Sequence, residues 1–303
     1  MSKENTYHQP VMRRESVEGL AIKPDGIYVD TTFGGGGHAR AILEELGEDG
    51  TLMAFDQDPE ALKNALDDER FTLINSNFRY LRNFLKLYKA WPVDGIFADL
   101  GVSSFQFDSA YRGFSTRFDG PLDLRMNPKS DLPASDVINR YNRETLKNIF
   151  RQYGEIRNAG TLAAAIDNQR QKHFITTTGQ LREAAWSCAP RNREYKYLAQ
   201  VFQALRIEVN QELQALKEML SAALEMLNIG GRLVVISYHS LEDRLVKNFF
   251  KAGNFEGKVV KDFYGQPQNP LRVITRKPVI PTDEEILGNP RARSAKLRIA
   301  EKK

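Results

Sequence analysis

The chain has 303 residues, 41% of them hydrophobic, with a formal net charge of +4 and one cysteine. That apolar fraction supports a sizeable core and excludes global disorder. The lone Cys188 excludes an internal disulfide and a cysteine-rich metal site, and reads as a small buried apolar residue.

The start, Met-Ser-Lys-Glu-Asn-Thr, is polar with no apolar signal core behind it, and no apolar run approaches the length that crosses a bilayer. A soluble cytoplasmic protein with no membrane partner is expected. From Ile27 to Leu100 the pattern alternates. Strands are predicted at Ile27–Thr31, Thr51–Asp56, Phe71–Ser76 and Val93–Leu100, with helices near Ala39–Leu46, Glu60–Leu66 and Arg79–Tyr88. Short apolar strands alternating with helices indicate an α/β, Rossmann-like doubly wound sheet, which binds ligands beyond the carboxyl ends of its strands. Gly34–His38, Asp56, Asn75–Phe78 and Asp99–Ser104 all fall at such ends.

The first of these is the most informative. Strand residues Ile27, Tyr28 and Val29 lead into Asp30-Thr-Thr-Phe and then four glycines, Gly34–Gly37, followed by His38 and a helical run. Glycine lets the backbone approach a ligand where a Cβ would collide. Asp56, ending the second strand, sits where an acid can accept hydrogen bonds from ribose hydroxyls.

From about Ser109 the chain is irregular, with Gly113, Gly120, Pro121, Pro128 and Pro133 as breakers. Helices are predicted at Ala134–Tyr141, Glu144–Tyr153, Asn158–Asn168, Thr178–Ser187 and Tyr195–Val209, with a helix entrance at Thr176–Thr178. Between Arg140 and Asn210 stand twelve Lys or Arg against six Asp or Glu. Such a segment suits a polyanionic partner or a solvated helical surface.

Sheet patterning then returns. A long amphipathic helix, Gln211–Leu227, should stop at Asn228-Ile-Gly-Gly231, before a buried fifth strand Arg232–Tyr238. Ser240-Leu-Glu-Asp243 reads as a capping box for a helix through Lys251, and Arg272–Val279 and Lys296–Ala300 as closing strands. The expected organisation is a discontinuous α/β domain, 1–110 and 212–303, interrupted by a mostly helical basic domain, 111–211.

A glycine-rich turn with a downstream acid serves nicotinamide, flavin and S-adenosylmethionine sites alike. Three features favour the last. Asp30, just before the glycines, suits an ammonium group better than a pyrophosphate. Four consecutive glycines and a histidine replace the Gly-x-Gly-x-x-Gly spacing. Leu227-Asn-Ile-Gly-Gly-Arg-Leu233 resembles the turn before strand five of many methyltransferases.

The motifs taken together are more specific. His8-Gln-Pro-Val11, Asp30-Thr-Thr-Phe-Gly-Gly-Gly-Gly-His38, Asp56-Gln-Asp-Pro59, Asp99-Leu-Gly-Val-Ser-Ser104 and Arg112-Gly-Phe-Ser115 follow one another along the chain. Asp119-Gly-Pro-Leu-Asp-Leu-Arg-Met126, Tyr153-Gly-Glu155, Phe202-Gln-Ala-Leu-Arg-Ile207, Ser237-Tyr-His-Ser-Leu-Glu-Asp-Arg244 and Asn289-Pro-Arg-Ala-Arg-Ser294 complete the series. In this order they resemble the bacterial MraW (RsmH) family of 16S ribosomal RNA cytosine-N4 methyltransferases, over nearly the whole chain.

The resemblance implies a class I methyltransferase fold, S-adenosylmethionine as cofactor and the 16S ribosomal RNA of the small ribosomal subunit as partner. It also implies that Gly36, Gly37 and His38 contact the cofactor and Asp56 holds its ribose. Phe78 and Asp99 would flank its adenine and methionine parts, and Gln106 would close over them. Each residue has a plainer alternative: a helix cap for His38, a core aromatic for Phe78, a surface polar group for Gln106. Asp99 is the expected catalytic residue, a carboxylate able to accept an N–H bond from the exocyclic amine of cytosine.

His239 has two open readings, contact with the base or RNA backbone, or a neutral histidine at the helix entrance. Arg112, Arg125, Arg244, Arg291 and Arg293 are candidate phosphate contacts, the last two in a segment with the look of a flexible basic loop. His8, His38, His173 and His239 show no ligand spacing, so no metal is expected. The chain departs from the family where Glu194-Tyr-Lys-Tyr-Leu-Ala-Gln200 replaces the commoner Lys-His-Pro-Ala-Thr-Arg, and where Phe55 and Gln57 flank Asp56. Two rival classes are a nicotinamide-dependent oxidoreductase on the same fold and a non-catalytic RNA-binding assembly factor. The sequence does not set the oligomeric state, and a dimer is compatible with it.

Overall fold

A computed structural model describes residues 10–303, so His8 and Gln9 of the first motif lie outside the described residues. The chain divides into two compact units, one formed by 1–101 with 213–303 and the other by 102–212.

The first unit is built on seven strands: β1 (Ile27–Asp30), β2 (Thr51–Asp56), β3 (Phe71–Asn75), β4 (Val93–Asp99), β5 (Leu227–Ser237), β6 (Leu271–Val273) and β7 (Lys296–Lys302). They lie in the order β3-β2-β1-β4-β5-β7-β6, parallel from β3 to β5, with β7 antiparallel to both its neighbours. The doubly wound sheet is as expected.

The continuous apolar runs of the strands have a simple cause. Successive side chains point to opposite faces, and both faces are covered. Val29, Met53, Phe55, Ile96, Ala98, Leu233 and Val235 enter one core, with Leu81 and Leu85 of helix Leu81–Leu87, Leu216 and Leu220 of helix Glu212–Met226, and Phe249 of helix Ser240–Ala252. Tyr28, Leu52, Ala54, Phe97, Val234 and Ile236 enter the other, with Leu20 of helix Arg13–Leu20 and Ile42 of helix Gly37–Glu45.

Several local features differ from expectation. The segment expected as helix Glu60–Leu66 is a 3-10 helix, Pro59–Asn64, entered through the Asp58 carboxylate, which accepts from the Glu60 N–H. The helix expected at Arg79–Tyr88 opens with a 3-10 turn, Phe78–Tyr80, before Leu81–Leu87. Strand β5 begins at Leu227, with no separate turn ahead of it. Leu227 pairs with Val93 and Arg232 with Gly95, so Asn228–Gly231 bulge out, helped by the positive φ of 79° at Gly230. The expected strand Arg272–Val279 shrinks to β6, because Ile274 and Thr275 both donate to the one carbonyl of Ile299.

The capping box before helix Ser240–Ala252 is opened by His239, one residue earlier than expected. Its Nδ1 accepts from the Glu242 N–H, and the Glu242 carboxylate accepts from the N–H groups of Tyr238 and His239. Asp243 instead accepts from Arg298 at 2.7 Å and Lys296 at 3.2 Å, tying the helix to β7.

The second unit is helical: Ser104–Asp108, Ala134–Arg140, Arg143–Gln152, Ala159–Arg170, Thr178–Trp186 and Glu194–Asn210. Phe150, Leu162, Ile166, Leu181, Leu198, Val201 and Leu205 are fully buried in its own core. Helix Thr178–Trp186 starts at a capping box between Thr177 and Gln180, as its sequence predicts. No helix among the described residues is long and apolar enough to cross a membrane.

Candidate active site

The chain builds β1, β2 and β3 to one side, then places β4 on the other side of β1. Beyond the carboxyl ends of β1 and β4 the connections therefore diverge, leaving a crevice. Asp30 pairs in register with Phe97, so Asp99 ends the neighbouring strand two residues further on.

Asp30 is wholly buried. Its Oδ1 accepts from the Thr32 N–H at 3.0 Å, and Thr32 Oγ1 accepts in turn from the Asp99 N–H at 2.7 Å. Its Oδ2 is buried with no hydrogen-bond partner among the described residues. Burial pushes the carboxyl up to about 6, against the opposing hydrogen bond from Thr32. A buried acceptor of this kind carries a free-energy cost until a donor reaches it.

The glycine loop is held from both ends. Gly34 (φ 53°) donates its N–H to Asp56 Oδ2 at 2.8 Å, and its carbonyl accepts from Asn64 at 3.0 Å. Gly36 (φ 76°) closes the turn on the Phe33 carbonyl and caps helix Gly37–Glu45 with no side chain of its own. A Cβ on Gly37 would stand 2.7 Å from Pro10 Cγ. Asp56 keeps part of its surface exposed and also accepts from the Asp58 N–H. Its carboxylate is packed deeply enough that desolvation pushes it up to about 6. Phe78 is half-buried at the start of the turn after β3, its ring against the apolar core.

Asp99 lies between two side chains. The Tyr238 hydroxyl donates to Asp99 Oδ1 at 2.8 Å, and His38 Nε2 stands 3.6 Å from Oδ2. The His38 ring packs on Phe97 at 4.4 Å between centroids, and neither of its nitrogens has a hydrogen-bond partner among the described residues. The first residue of helix Gly37–Glu45 is Gly37, so His38 is neither its cap nor its opening residue. Desolvation, then the charge of Asp99, holds the Tyr238 phenol well above 10. Tyr238 was not among the expected site residues; its signal was its place one residue past a strand end.

Asp30, Gly36, Gly37, His38, Asp56, Phe78 and Asp99 thus belong to one unit and line one rim. Gln106 belongs to the other, where it is buried and completes a capping box with Ser103 at helix Ser104–Asp108. Two of the candidate phosphate contacts have internal work. Arg112 is buried and donates to the Arg125 and Met126 carbonyls, and Arg125 forms a bidentate pair with Asp123. Arg244, Arg291 and Arg293 are exposed, but Arg291 and Arg293 sit in an ordered 3-10 turn, Pro290–Ser294, not a flexible loop.

The ribosomal RNA small subunit methyltransferase H of Bacteroides thetaiotaomicron is 57% identical to this chain over 300 residues, covering 99% of each. That of Flavobacterium johnsoniae is 57% identical over 296 residues, covering 98% of each. Among solved structures, a putative rRNA methylase from Clostridium thermocellum aligns over 98% of this chain and 100% of its own, at 15% identity and a TM-score of 0.45. The seven-stranded sheet, with β7 reversed between β5 and β6, is the class I methyltransferase fold. The sequence profile of the MraW methylase family matches residues 5–303, and the chain belongs to that family.

Proposed function

We propose that this protein transfers a methyl group from S-adenosylmethionine to the N4 amine of a cytidine in 16S ribosomal RNA of the small subunit. The observation that carries the reading is Asp99, held between Tyr238 and His38 at the end of β4, beside the Asp30–glycine–Asp56 cradle. Family membership supplies the RNA. Such a substrate would place the protein in the cytoplasm.

The cradle fits the cofactor on one count: the buried Oδ2 of Asp30, which has no hydrogen-bond partner among the described residues, suits an ammonium group. When bound, S-adenosylmethionine supplies an electrophilic methyl group on a sulfonium. Asp30 would hold the ammonium, Asp56 the ribose hydroxyls, and Gly36, Gly37 and His38 the adjoining face. Phe78 would pack against the adenine. The amine of cytosine is a weak nucleophile because its lone pair is delocalised into the ring. Asp99, accepting one of its N–H bonds, would turn that lone pair outward and orient it. The basic segment within 111–211 is assigned to hold the RNA, whose target base must be splayed out of any stack at a cost of a few kcal/mol.

A nicotinamide-dependent oxidoreductase fits less well. A dinucleotide fold orders its strands 3-2-1-4-5-6, without a reversed strand between the last two, and a buried Asp30 would oppose a pyrophosphate. A non-catalytic assembly factor would bind RNA and transfer nothing. The deciding experiment is mass spectrometry of ribosomal RNA from cells with and without the gene. N4-methylated cytidine should disappear with the gene and return with the wild-type protein but not with Asp99→Ala. Unchanged N4-methylated cytidine in the deletion would overturn the substrate assignment.

A further inference from the structure

The cations of the helical unit fall into two groups. Arg125, Arg140, Lys147, Arg170 and Arg206 are ion-paired to Asp or Glu within the unit, and Arg182 donates to the Thr116 carbonyl. Among the described residues several others are exposed and outside any ion pair, Arg143, Arg151, Arg157 and Lys172 as well as Arg191, Arg193 and Lys196, and only the last three stand close together in the sequence. They fall in and just after one connector, between helices Thr178–Trp186 and Glu194–Asn210.

Two aromatic side chains stand at the ends of that connector. Trp186 and Tyr195 are 44% and 79% exposed, and their rings meet edge to face at 5.9 Å and 86°. Exposed rings interleaved with exposed cations are the composition that binds single-stranded nucleic acid, the rings stacking on bases and the cations meeting phosphates. The connector beneath them is firmly held. Asn158 donates to the Cys188 carbonyl at 2.8 Å and accepts from the buried Tyr197 hydroxyl at 3.1 Å, and Arg193 N–H closes a turn on the Pro190 carbonyl. The rings are therefore presented on a fixed base, which lowers the ordering cost of binding.

We propose that Trp186 and Tyr195 stack on an unpaired nucleobase of the RNA substrate while Arg191, Arg193 and Lys196 contact its flanking phosphates. This rests on the RNA reading above and deepens it, by naming the feature recognised and the surface that does so. Every base has a π-face, so rings interleaved with cations bind single strands with little regard to sequence, whereas the bases of a duplex are already stacked. An acidic protein would satisfy the cations but would not offer a run of bases at the spacing of its charges.

The chain has two tryptophans, so a Trp91→Phe background leaves Trp186 as the sole indole reporter. Titration of the full-length protein with a single-stranded small-subunit RNA fragment should quench Trp186 emission. Trp186→Ala with Tyr195→Ala should weaken that binding by roughly ten- to a hundredfold, with S-adenosylhomocysteine affinity unchanged. The exposed triple variant Arg191→Ala, Arg193→Ala, Lys196→Ala leaves the core untouched and should reduce the slope of log K against log salt by about 2. Wild-type affinity in both variants would overturn the proposal. So would equal quenching by poly-glutamate, or equal affinity for duplex RNA. Methylation is assayed alongside: quenching by RNA without N4 methylation would sink the functional reading and leave this surface standing. Methylation with no effect of either variant on RNA binding would do the reverse.

Discussion

The Tyr238 hydroxyl donates to Asp99 Oδ1 across 2.8 Å, joining the residue just past β5 to the last residue of β4. Burial keeps the phenol protonated far above neutral pH, so it acts as a donor throughout the working range. Its bond fixes the plane of the carboxylate and leaves Oδ2 turned toward His38. Tyr238→Phe keeps the ring and removes only the donor. A hydrogen bond to a charged group is worth about 1.5–3 kcal/mol, so turnover should fall roughly ten- to a hundredfold. The same bond supports the fold, so the melting temperature should fall by a few degrees, while S-adenosylhomocysteine affinity should barely change. Unaltered turnover in steady-state assays would remove Tyr238 from the positioning of Asp99.

The buried Asp30 makes ligand binding depend on pH. Its carboxyl rises from an ordinary 3.8 to about 6 on folding, chiefly through desolvation. Well below pH 3.8 it is protonated in both folded and unfolded chains and costs nothing. As pH rises through 6 the folded protein must carry a buried charge, a loss of about 3 kcal/mol at neutral pH. Stability of the ligand-free protein from this group therefore falls between pH 4 and 6. A cationic ligand group relieves that loss, so S-adenosylhomocysteine should bind more tightly as pH rises from 5 to 7, with proton release detectable by calorimetry in buffers of different ionisation heat. Asp56, whose carboxyl is also raised to about 6 by desolvation, works in the same direction. Asp30→Asn should remove its share of the dependence, about half, and raise the melting temperature of the ligand-free protein. A pH-independent dissociation constant in the wild type would contradict this account.

The glycine loop is predicted to tolerate no side chain. Gly36 has φ 76°, and a Cβ there would stand 2.9 Å from Phe33 Cζ. Gly36→Ala combines left-handed strain with that close contact, and should lower stability by about 1–3 kcal/mol and abolish measurable S-adenosylhomocysteine binding. Gly230 offers the control: it also has positive φ, 79°, but a Cβ there meets nothing within 4 Å. Gly230→Ala should cost strain alone and leave binding intact. Calorimetry on the two variants separates the cases, and equal binding in both would show that the loop does not approach the ligand.

Asp243 joins helix Ser240–Ala252 to the reversed strand β7 through Arg298, whose side chain is 8% exposed. Its paired cations hold the carboxyl below the ordinary range despite its burial. Asp243→Ala leaves Arg298 charged, buried and without that partner, a loss of roughly 3–5 kcal/mol. Chemical denaturation should report it as a lower midpoint. A loss under about 1 kcal/mol would mean that Arg298 finds water or another acceptor.

Asp30, the four glycines, Asp56 and Asp99 could be placed at strand ends from the sequence alone. Apolar runs, two-residue alternation and glycine breakers are local signals, and a doubly wound sheet brings strand ends to one rim. The inserted helices were legible for the same reason, through their periodicity and the helix entrance at Thr176–Thr178. Tertiary structure alone decided which groups act on one another. Tyr238 reaches Asp99 across 139 residues of chain, and no local pattern distinguishes it from any aromatic after a strand. Arg112 and Arg125 carried the composition of RNA contacts, yet folding turned one onto backbone carbonyls and the other onto Asp123. A cation's type is written in the sequence. Whether it is free to bind a phosphate depends on the acceptors that distant segments bring within hydrogen-bonding distance.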